Sequence, residues 1–366
     1  MPTASILVPH YNNPELLRPC LESLRALRAD NPTHEVVVVD DGSSDGSVEW
    51  VRREHPWARV VARAENGGFV RAIQTGVDES QSEILVFLNN DTWVEPDWLK
   101  NLVDPLLSGQ VEGVTGSILM NWEGTRANFL GATLNYLGYG FEVPGELPDP
   151  RGPLIPVLCA CGGAMAVSRK VYLETGGFDE SFGMIYEDLD FGWRLNLIGR
   201  ACCLVPGSRV GHRAHSSLGR SSFERKARYY LLNPLRMLLK NGDEEGHLER
   251  MQMAVTLAQA RERICLLGQS RPPGFLDRLG QLFHKETSPL VASLVEEEER
   301  TRALAEKRAT ILKRRRCTTR EVFERFAPEP TRPWFFDEEQ RQLLETAGYF
   351  ELERRMYRSC GIIGRG

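Results

Sequence analysis

Three polar clusters hold most of the chain's capacity for chemistry, and each follows an apolar run. Pro9-His10-Tyr11-Asn12-Asn13 comes after Ile6-Leu7-Val8, Asp40-Asp41-Gly42-Ser43-Ser44-Asp45 after Val36 to Val39, and Asn89-Asn90-Asp91-Thr92 after Ile84 to Leu88. Two adjacent carboxylates ahead of Gly and Ser make a turn with free acceptors. Asp40 and Asp41 therefore suit either the cap of a following helix or the imide N–H of a uracil or thymine ring, against which Tyr11 could pack. Asp91 is a hard-oxygen ligand of the kind that takes Mg²⁺ or Mn²⁺ together with substrate phosphates; the plainer alternative is a turn residue. Arg71 offers the cationic partner that a diphosphate requires. A second acidic site is Glu187-Asp188. A carboxylate there could take a proton from an acceptor hydroxyl, or simply complement the dipole at a helix N-terminus. Gly162-Gly163 lacks side chains and lets backbone approach a ligand closely. His212 and His215 are metal ligands or surface histidines, with at most one expected to ligate.

The elements that must position these residues are legible over the first hundred positions. The β-branched run Val36 to Val39 is too short for a buried helix and reads as a buried strand ending in a turn. Ile6–Val8, Val60-Val61 and Ile84–Leu88 supply further strands. Between them, Leu16, Leu17, Leu21, Leu24 and Leu27 have helical spacing, the serines and Asp45 offer caps for a helix through Val48 to Val51, Gly67-Gly68 opens a helix over Val70–Val77, and Pro96 is expected in the first turn of another. This alternation predicts an α/β fold with a mostly parallel central sheet covered by helices on both faces. In such sheets ligands collect beyond the carboxyl ends of the strands, which is where all three clusters fall. Residues 109–156 read as shorter strands and loops.

Composition bounds the rest. The chain has 366 residues, 42% hydrophobic and 26% charged, with net charge −5, so a packed core is expected and general nucleic-acid binding through phosphate neutralisation is not. No apolar run approaches a membrane span, and the N-terminal residues lack a basic segment ahead of their apolar stretch, which argues against a signal peptide. Eight cysteines without a CxxC pair point to reduced thiols and a cytoplasmic setting. Residues 241–366 are the more densely charged part and read as mainly helical, with a long candidate from Pro289 to Arg316 and breaks at Pro272-Pro273-Gly274 and Pro328-Glu329-Pro330. The Lys313-Arg314-Arg315-Arg316 run suits phosphates, an anionic membrane, or the carboxyl end of its own helix.

Taken in order, the blocks resemble family 2 glycosyltransferases: Ser5 to Asn12, Val38 to Ser47, Asn66-Gly67-Gly68-Phe69, Leu88 to Thr92, Gly176 to Glu180 and Glu187 to Arg194. The similarity covers roughly residues 4–240. His212 with Ser216-Ser217, and the helix carrying Tyr229, Tyr230 and Asn233, resemble the bacterial rhamnosyltransferase-like subgroup. The resemblance implies a GT-A fold whose nucleotide-binding part spans about 1–110 and acceptor-binding part about 111–240, followed by a helical C-terminal region at 241–366. It implies an inverting transfer of a sugar from a UDP- or dTDP-sugar, with a divalent metal (Mn²⁺ or Mg²⁺), to a hydroxyl of a glycan, lipid-linked or protein acceptor. Carried over residue by residue, Pro9, Tyr11, Asp41, Arg71 and Asn90 contact the nucleotide, and Asp91 and His212 the metal. Asp188 is the catalytic base with Glu187 beside it, and Gly162, Gly163, Trp193 and Arg194 face the donor sugar or acceptor. Three positions depart from the family pattern. Asn89 replaces the first acid of the DxD motif, His10 a commoner small residue, and Asn233-Pro234 an Arg-Asn pair. Nucleic acid is not an expected partner; peripheral membrane contact at the inner face and a homo-oligomer through the C-terminal helices remain open. A sugar nucleotidyltransferase would show a glycine-rich basic phosphate loop near the N-terminus, which this sequence lacks. A non-catalytic scaffold of the same fold is the third reading, and Asn89 is the residue that favours it.

Overall fold

Four strands in the first ninety residues run the same way, each followed by a helix. They are β1 (Ala4–His10), β2 (His34–Asp40), β3 (Arg59–Ala62) and β4 (Ile84–Leu88), with α1 (Pro14–Arg25), α2 (Ser47–Glu54), α3 (Phe69–Glu79) and, after the short β5 (Thr92–Val94), α4 (Trp98–Leu107). The computed structural model describes residues 2–213, 223–243, 246–265, 298–335 and 337–359. His215, Ser216-Ser217, Pro272-Pro273-Gly274, Pro289 and Cys360 lie outside them. β1 sits parallel between β2 and β4, and β3 flanks β2. Val36–Val39 and all of β4 are buried, as continuous apolar strands between helical layers must be. Two helix starts differ from expectation. α2 begins after Gly46 in a left-handed conformation without a side-chain cap, because the Asp45 carboxylate accepts from Ser47 instead. Pro96 precedes α4 rather than opening it: the Glu95 carbonyl accepts from Trp98 N–H in an intervening turn, with Asp97 at the N-cap.

The chain then adds β6 (Val114–Met120), β7 (Ala127–Phe129), β8 (Ala132–Leu134), β9 (Gly140–Glu142), β10 (Ile155–Pro156), β11 (Ala164–Ser168), α5 (Arg169–Thr175), α6 (Glu187–Leu197) and β12 (Cys202–His212). β11 is antiparallel to both β4 and β6, while β12 is parallel to β6. The order β10-β12-β6-β11-β4-β1-β2-β3 therefore keeps six strands pointing one way. Their carboxyl ends share one edge, and β11 enters the sheet at that same edge, with Ala164 opposite Leu88. Phe178, from the Gly-Gly-Phe block, packs on Phe87 and Phe191 with ring centroids 5.4 Å apart in each case. That block is core, and it fixes α5 and α6 on one face of the sheet.

The chain divides into two compact units: Met1–Thr133 with Phe141–Ser222, and Leu134–Gly140 with Phe223–Gly366. The second is helical, with α7 (Phe223–Asn241), α8 (His247–Cys265), α9 (Glu298–Arg314), α10 (Thr319–Phe326), α11 (Glu338–Thr346) and α12 (Tyr349–Ser359). The Arg261 guanidinium is 1% exposed and stacked among Tyr139, Trp334 and Tyr349, 4.8–5.1 Å from each ring centroid. Burial of a cation is tolerated there because aromatic faces and the Tyr349 hydroxyl, 3.2 Å away, replace water. Among the described residues no helix is long and apolar enough to cross a membrane, and the described cysteines are free.

Candidate active site

The loops after β1 and β2 are knitted together by asparagines that tolerate left-handed backbone. Asn12 and Asn13 have φ of 53° and 70°. Their N–H groups donate to Ser43 Oγ (2.8 Å) and Asp45 Oδ2 (2.5 Å), while Ser44 N–H donates to Asn12 Oδ1 (3.0 Å). Gly42, with φ 78°, is required twice over, since a Cβ there would lie 2.7 Å from the Glu65 carbonyl carbon. Pro9 is half-buried within β1, and Tyr11 stands 47% exposed at its end, free to receive a flat ring.

Asp41 is held by the next crossover. Its carboxylate accepts from Gly67 N–H (3.0 and 3.1 Å) and Gly68 N–H (2.7 Å), the turn that opens α3, and pairs with Arg63 Nε at 3.0 Å. Burial lifts its titration above the usual carboxylate range, outweighing these donors. Arg63 has no part in the expected site. The signal for it is the parallel register that sets Asp40 beside Ala62, which places residues 41 and 63 side by side one step beyond the strands.

The third cluster meets the fourth across β4 and β11. Asn89 N–H donates to the Gly163 carbonyl (2.8 Å), and a Cβ on Gly163 would fall 2.4 Å from the Asn89 carboxamide. One residue earlier, Gly162 N–H donates to Asp188 Oδ2 (3.1 Å), and Leu189 N–H donates to Asp188 Oδ1 (2.8 Å). Glycines therefore let the Asn89–Asp91 turn and the amino end of α6 close on each other. Ile185 and Tyr186 launch α6 with φ of 66° and 78°, a conformation that costs a branched side chain roughly 1–2 kcal/mol. Strain at this point is what aims Glu187 and Asp188.

Those two carboxyls sit in unequal settings. Asp188 is half-buried and accepts two backbone N–H bonds, whereas Glu187 is buried and its Oε2 has no hydrogen-bond partner. Burial, then the neighbouring charge, pushes Glu187 well up; burial also raises Asp188, but its backbone donors pull it back. These unequal settings favour the proton on Glu187 and the charge on Asp188. On the far side, Asp91 Oδ1 faces His212 Nε2 at 3.3 Å, and Arg213 N–H donates to the Asp91 carbonyl (3.0 Å). The carboxylate oxygen suits Mn²⁺ or Mg²⁺, and the imidazole nitrogen, a transition-metal ligand, favours Mn²⁺ of the two. Among the described residues no group of three or more His, Cys, Asp or Glu could hold a metal. The remaining positions around such an ion would fall to phosphate oxygens and water, the usual pattern for these cations.

Two expected residues turn inward instead. Trp193 is fully buried. Arg194, 4% exposed, forks onto Asp190 Oδ2 (2.7 and 3.0 Å) and donates to the Thr175 and Gly177 carbonyls (2.6 and 2.8 Å), so it braces the Gly-Gly-Phe block and cannot face donor sugar or acceptor. The reason is helical period: Trp193 and Arg194, five and six positions beyond Asp188, lie on the core side of α6 when Asp188 lies near the cleft. Arg71 is exposed at the start of α3 and pairs with Glu180 at 3.3 Å, a contact that solvent weakens and a diphosphate could replace. Pro9, Tyr11, Asp41, Asn90, Asp91, Gly162, Gly163, Glu187, Asp188 and His212 all stand at one edge of the sheet.

Residues 5–176 match the model of Glycosyl transferase family 2. The chain is 31% identical over 229 residues to O-antigen biosynthesis protein RfbC of Myxococcus xanthus, across 59% of this chain and 18% of that protein. It is 26% identical over 242 residues to N-acetylgalactosaminyltransferase 6 of Drosophila melanogaster, across 58% of this chain and 34% of that protein. The chain thus spans well under half the length of these relatives. Its fold is that of the crystal structure of GalNAc-T7 with UDP, GalNAc and Mn²⁺, with a TM-score of 0.56 at 18% identity, covering 76% of this chain and 53% of that one. This is the GT-A type of α/β fold.

Proposed function

Since the chain carries a glycosyl transferase family 2 domain, we propose that it is an inverting glycosyltransferase, moving a sugar from a UDP- or dTDP-sugar to a hydroxyl of a glycan, lipid-linked or protein acceptor. The observation that supports this reading is that the Asn89–Asp91 turn bonds to Gly163 through Asn89 N–H while the adjoining Gly162 N–H bonds to Asp188. It sets a candidate base and a candidate metal carboxylate at neighbouring positions on one edge of the sheet. Asp188, kept anionic by two N–H donors, takes the proton of the acceptor hydroxyl as its oxygen bonds to the anomeric carbon. The bond from that carbon to the diphosphate oxygen breaks on the opposite face, so configuration inverts. A divalent ion held by Asp91 and His212 would supply Lewis-acid stabilisation to the leaving diphosphate. Glu187, protonated, is placed to hydrogen-bond a sugar hydroxyl. Tyr11 stacks on the base. Asp41 supports the nucleotide through the Gly67-Gly68 turn that it holds, both of its oxygens accepting backbone N–H, and it is also the candidate partner of the base imide.

Thermal shift with a panel of UDP-, dTDP- and GDP-sugars plus Mn²⁺ tests the reading, because a ligand of the folded state raises its stability. Stabilisation by a nucleotide-sugar, followed by slow hydrolysis of that donor, is the expected result. Tight nucleotide binding without any turnover would instead support the scaffold reading that Asn89 suggests. All four side chains of Lys313–Arg316 are exposed at the end of α9 and just beyond it. That observation favours acceptors presented at an anionic membrane surface.

A further inference from the structure

His10 is a buried imidazole whose place in the site the proposed chemistry leaves unused. It is 2% exposed, at the last position of β1, opposite Asp40 in the register. Its carbonyl accepts the Asp41 N–H at 2.8 Å, and its Nδ1 lies 2.9 Å from Asn90 Nδ2. A carboxamide nitrogen only donates, so Nδ1 accepts and the ring proton sits on Nε2. The Asn89–Asp91 turn is otherwise tied at its two ends, by Asn89 N–H to Gly163 and by Arg213 N–H to the Asp91 carbonyl. Asn90, at its middle, is 9% exposed and held by the histidine.

We propose that His10 is a positioning residue: through Asn90 it fixes the Asp91 turn, which takes the diphosphate and metal, at a set distance from the Asp41 turn, which takes the base. This rests on the nucleotide-sugar reading above. One residue touches both turns, by backbone on one side and side chain on the other, so its side chain can be changed without breaking the β1–β2 ladder. His10→Phe keeps a flat ring, slightly larger than imidazole, and removes the acceptor; His10→Asn restores an acceptor near Nδ1.

The experiment is calorimetry on the full chain. UMP or dTMP without metal reads the base end, and UDP or dTDP with Mn²⁺ reads both ends. His10→Phe is expected to bind the metal–diphosphate ligand at least about 10-fold more weakly, a loss near 1.4 kcal/mol, while its monophosphate affinity stays within about 3-fold; His10→Asn recovers most of the difference. Equal weakening of both ligands would mean a merely structural role, and no weakening of either would mean no role; each overturns the assignment. Should Phe prevent folding, His10→Leu gives the same comparison. A wild-type protein that binds none of the nucleotides removes the nucleotide-sugar reading itself, whereas a wild type that binds beside an unaffected His10→Phe removes only the role of His10.

Discussion

Replacing Asp188 by Asn removes a base while keeping its shape, and the structure sets both the size and the side effects. The carboxylate has one oxygen on Gly162 N–H and the other on Leu189 N–H. An asparagine can satisfy one of these and must turn its NH₂ toward the second, which costs about 1–3 kcal/mol of local stability. Loss of a positioned general base typically lowers turnover by about 10²–10⁴-fold, or roughly 3–5 kcal/mol in barrier height. The nucleotide's expected contacts, at Tyr11, Arg71 and the Asn89–Asp91 turn, are made by other residues. Steady-state kinetics with the donor identified by thermal shift should therefore give a kcat at least 100-fold lower, and calorimetry a nucleotide Kd within about 3-fold of wild type. A melting temperature lowered by a few degrees is compatible with the lost backbone bond. A kcat within 3-fold of wild type would refute the argument that Asp188 is the anion of the pair and the acceptor's base. Nucleotide affinity falling in step with kcat would refute the separation of base and donor-binding residues.

Glu187→Gln copies the protonated form of Glu187. Since burial raises this carboxyl, wild-type stability falls as pH climbs from the unfolded carboxyl's range toward the raised value, and activity should fall at alkaline pH as Glu187 ionises beside Asp188. The Gln variant should keep near wild-type kcat at pH 6–7 and lose that alkaline limb; a pH–rate profile unchanged from wild type would contradict this. Gly163→Ala drives a methyl into the Asn89 carboxamide, and Mn²⁺–nucleotide affinity should drop about 10-fold with the fold intact by circular dichroism. Asp41→Asn leaves Arg63 without its counter-charge and one donor of the Gly67-Gly68 turn unmet; a loss of about 2 kcal/mol, or roughly 4–8 °C in calorimetric Tm, is expected, and a loss under 2 °C would show that the clamp is not structural.

How much of this could be read from residue order depends on whether a signal is local. The strands Val36–Val39 and Ile84–Leu88 announce themselves because their burial on both faces needs unbroken apolar runs, and the helices between them because their apolar faces repeat at the helical period. The reversal of β11 has no such mark. Ala164–Ser168 reads like any short buried strand, and its antiparallel direction follows from where Gly162-Gly163 must meet Asn89, a contact between positions more than seventy residues apart. The start of α6 was visible as an acidic first turn. That it begins from two left-handed residues, Ile185 and Tyr186, was not, since neither is of a type that favours such backbone.

The same distinction explains Asp41 and Arg194. Both lie in motifs whose order is easily recognised, yet a motif records which residues occur and not which way each side chain turns. Arg194 follows Asp190 by four positions on one helix, which pairs them on one face, and its offset of six positions from Asp188 turns that face from the cleft, so its exclusion is a local consequence that helix geometry could supply. Asp41 is different in kind. Its clamp on Gly67, Gly68 and Arg63 exists only because β2 and β3 pair in parallel, and its carboxylate serves to hold the α3 turn that a donor would approach. If Asp41 acts chiefly through that turn, its replacement should weaken nucleotide affinity and lower Tm together. If it acts by direct contact with the base, Arg63→Gln, which disturbs only the clamp, should cost stability and spare affinity. Measuring both quantities for both variants separates the two roles, because Arg63→Gln loosens the clamp while leaving the Asp41 carboxylate in place.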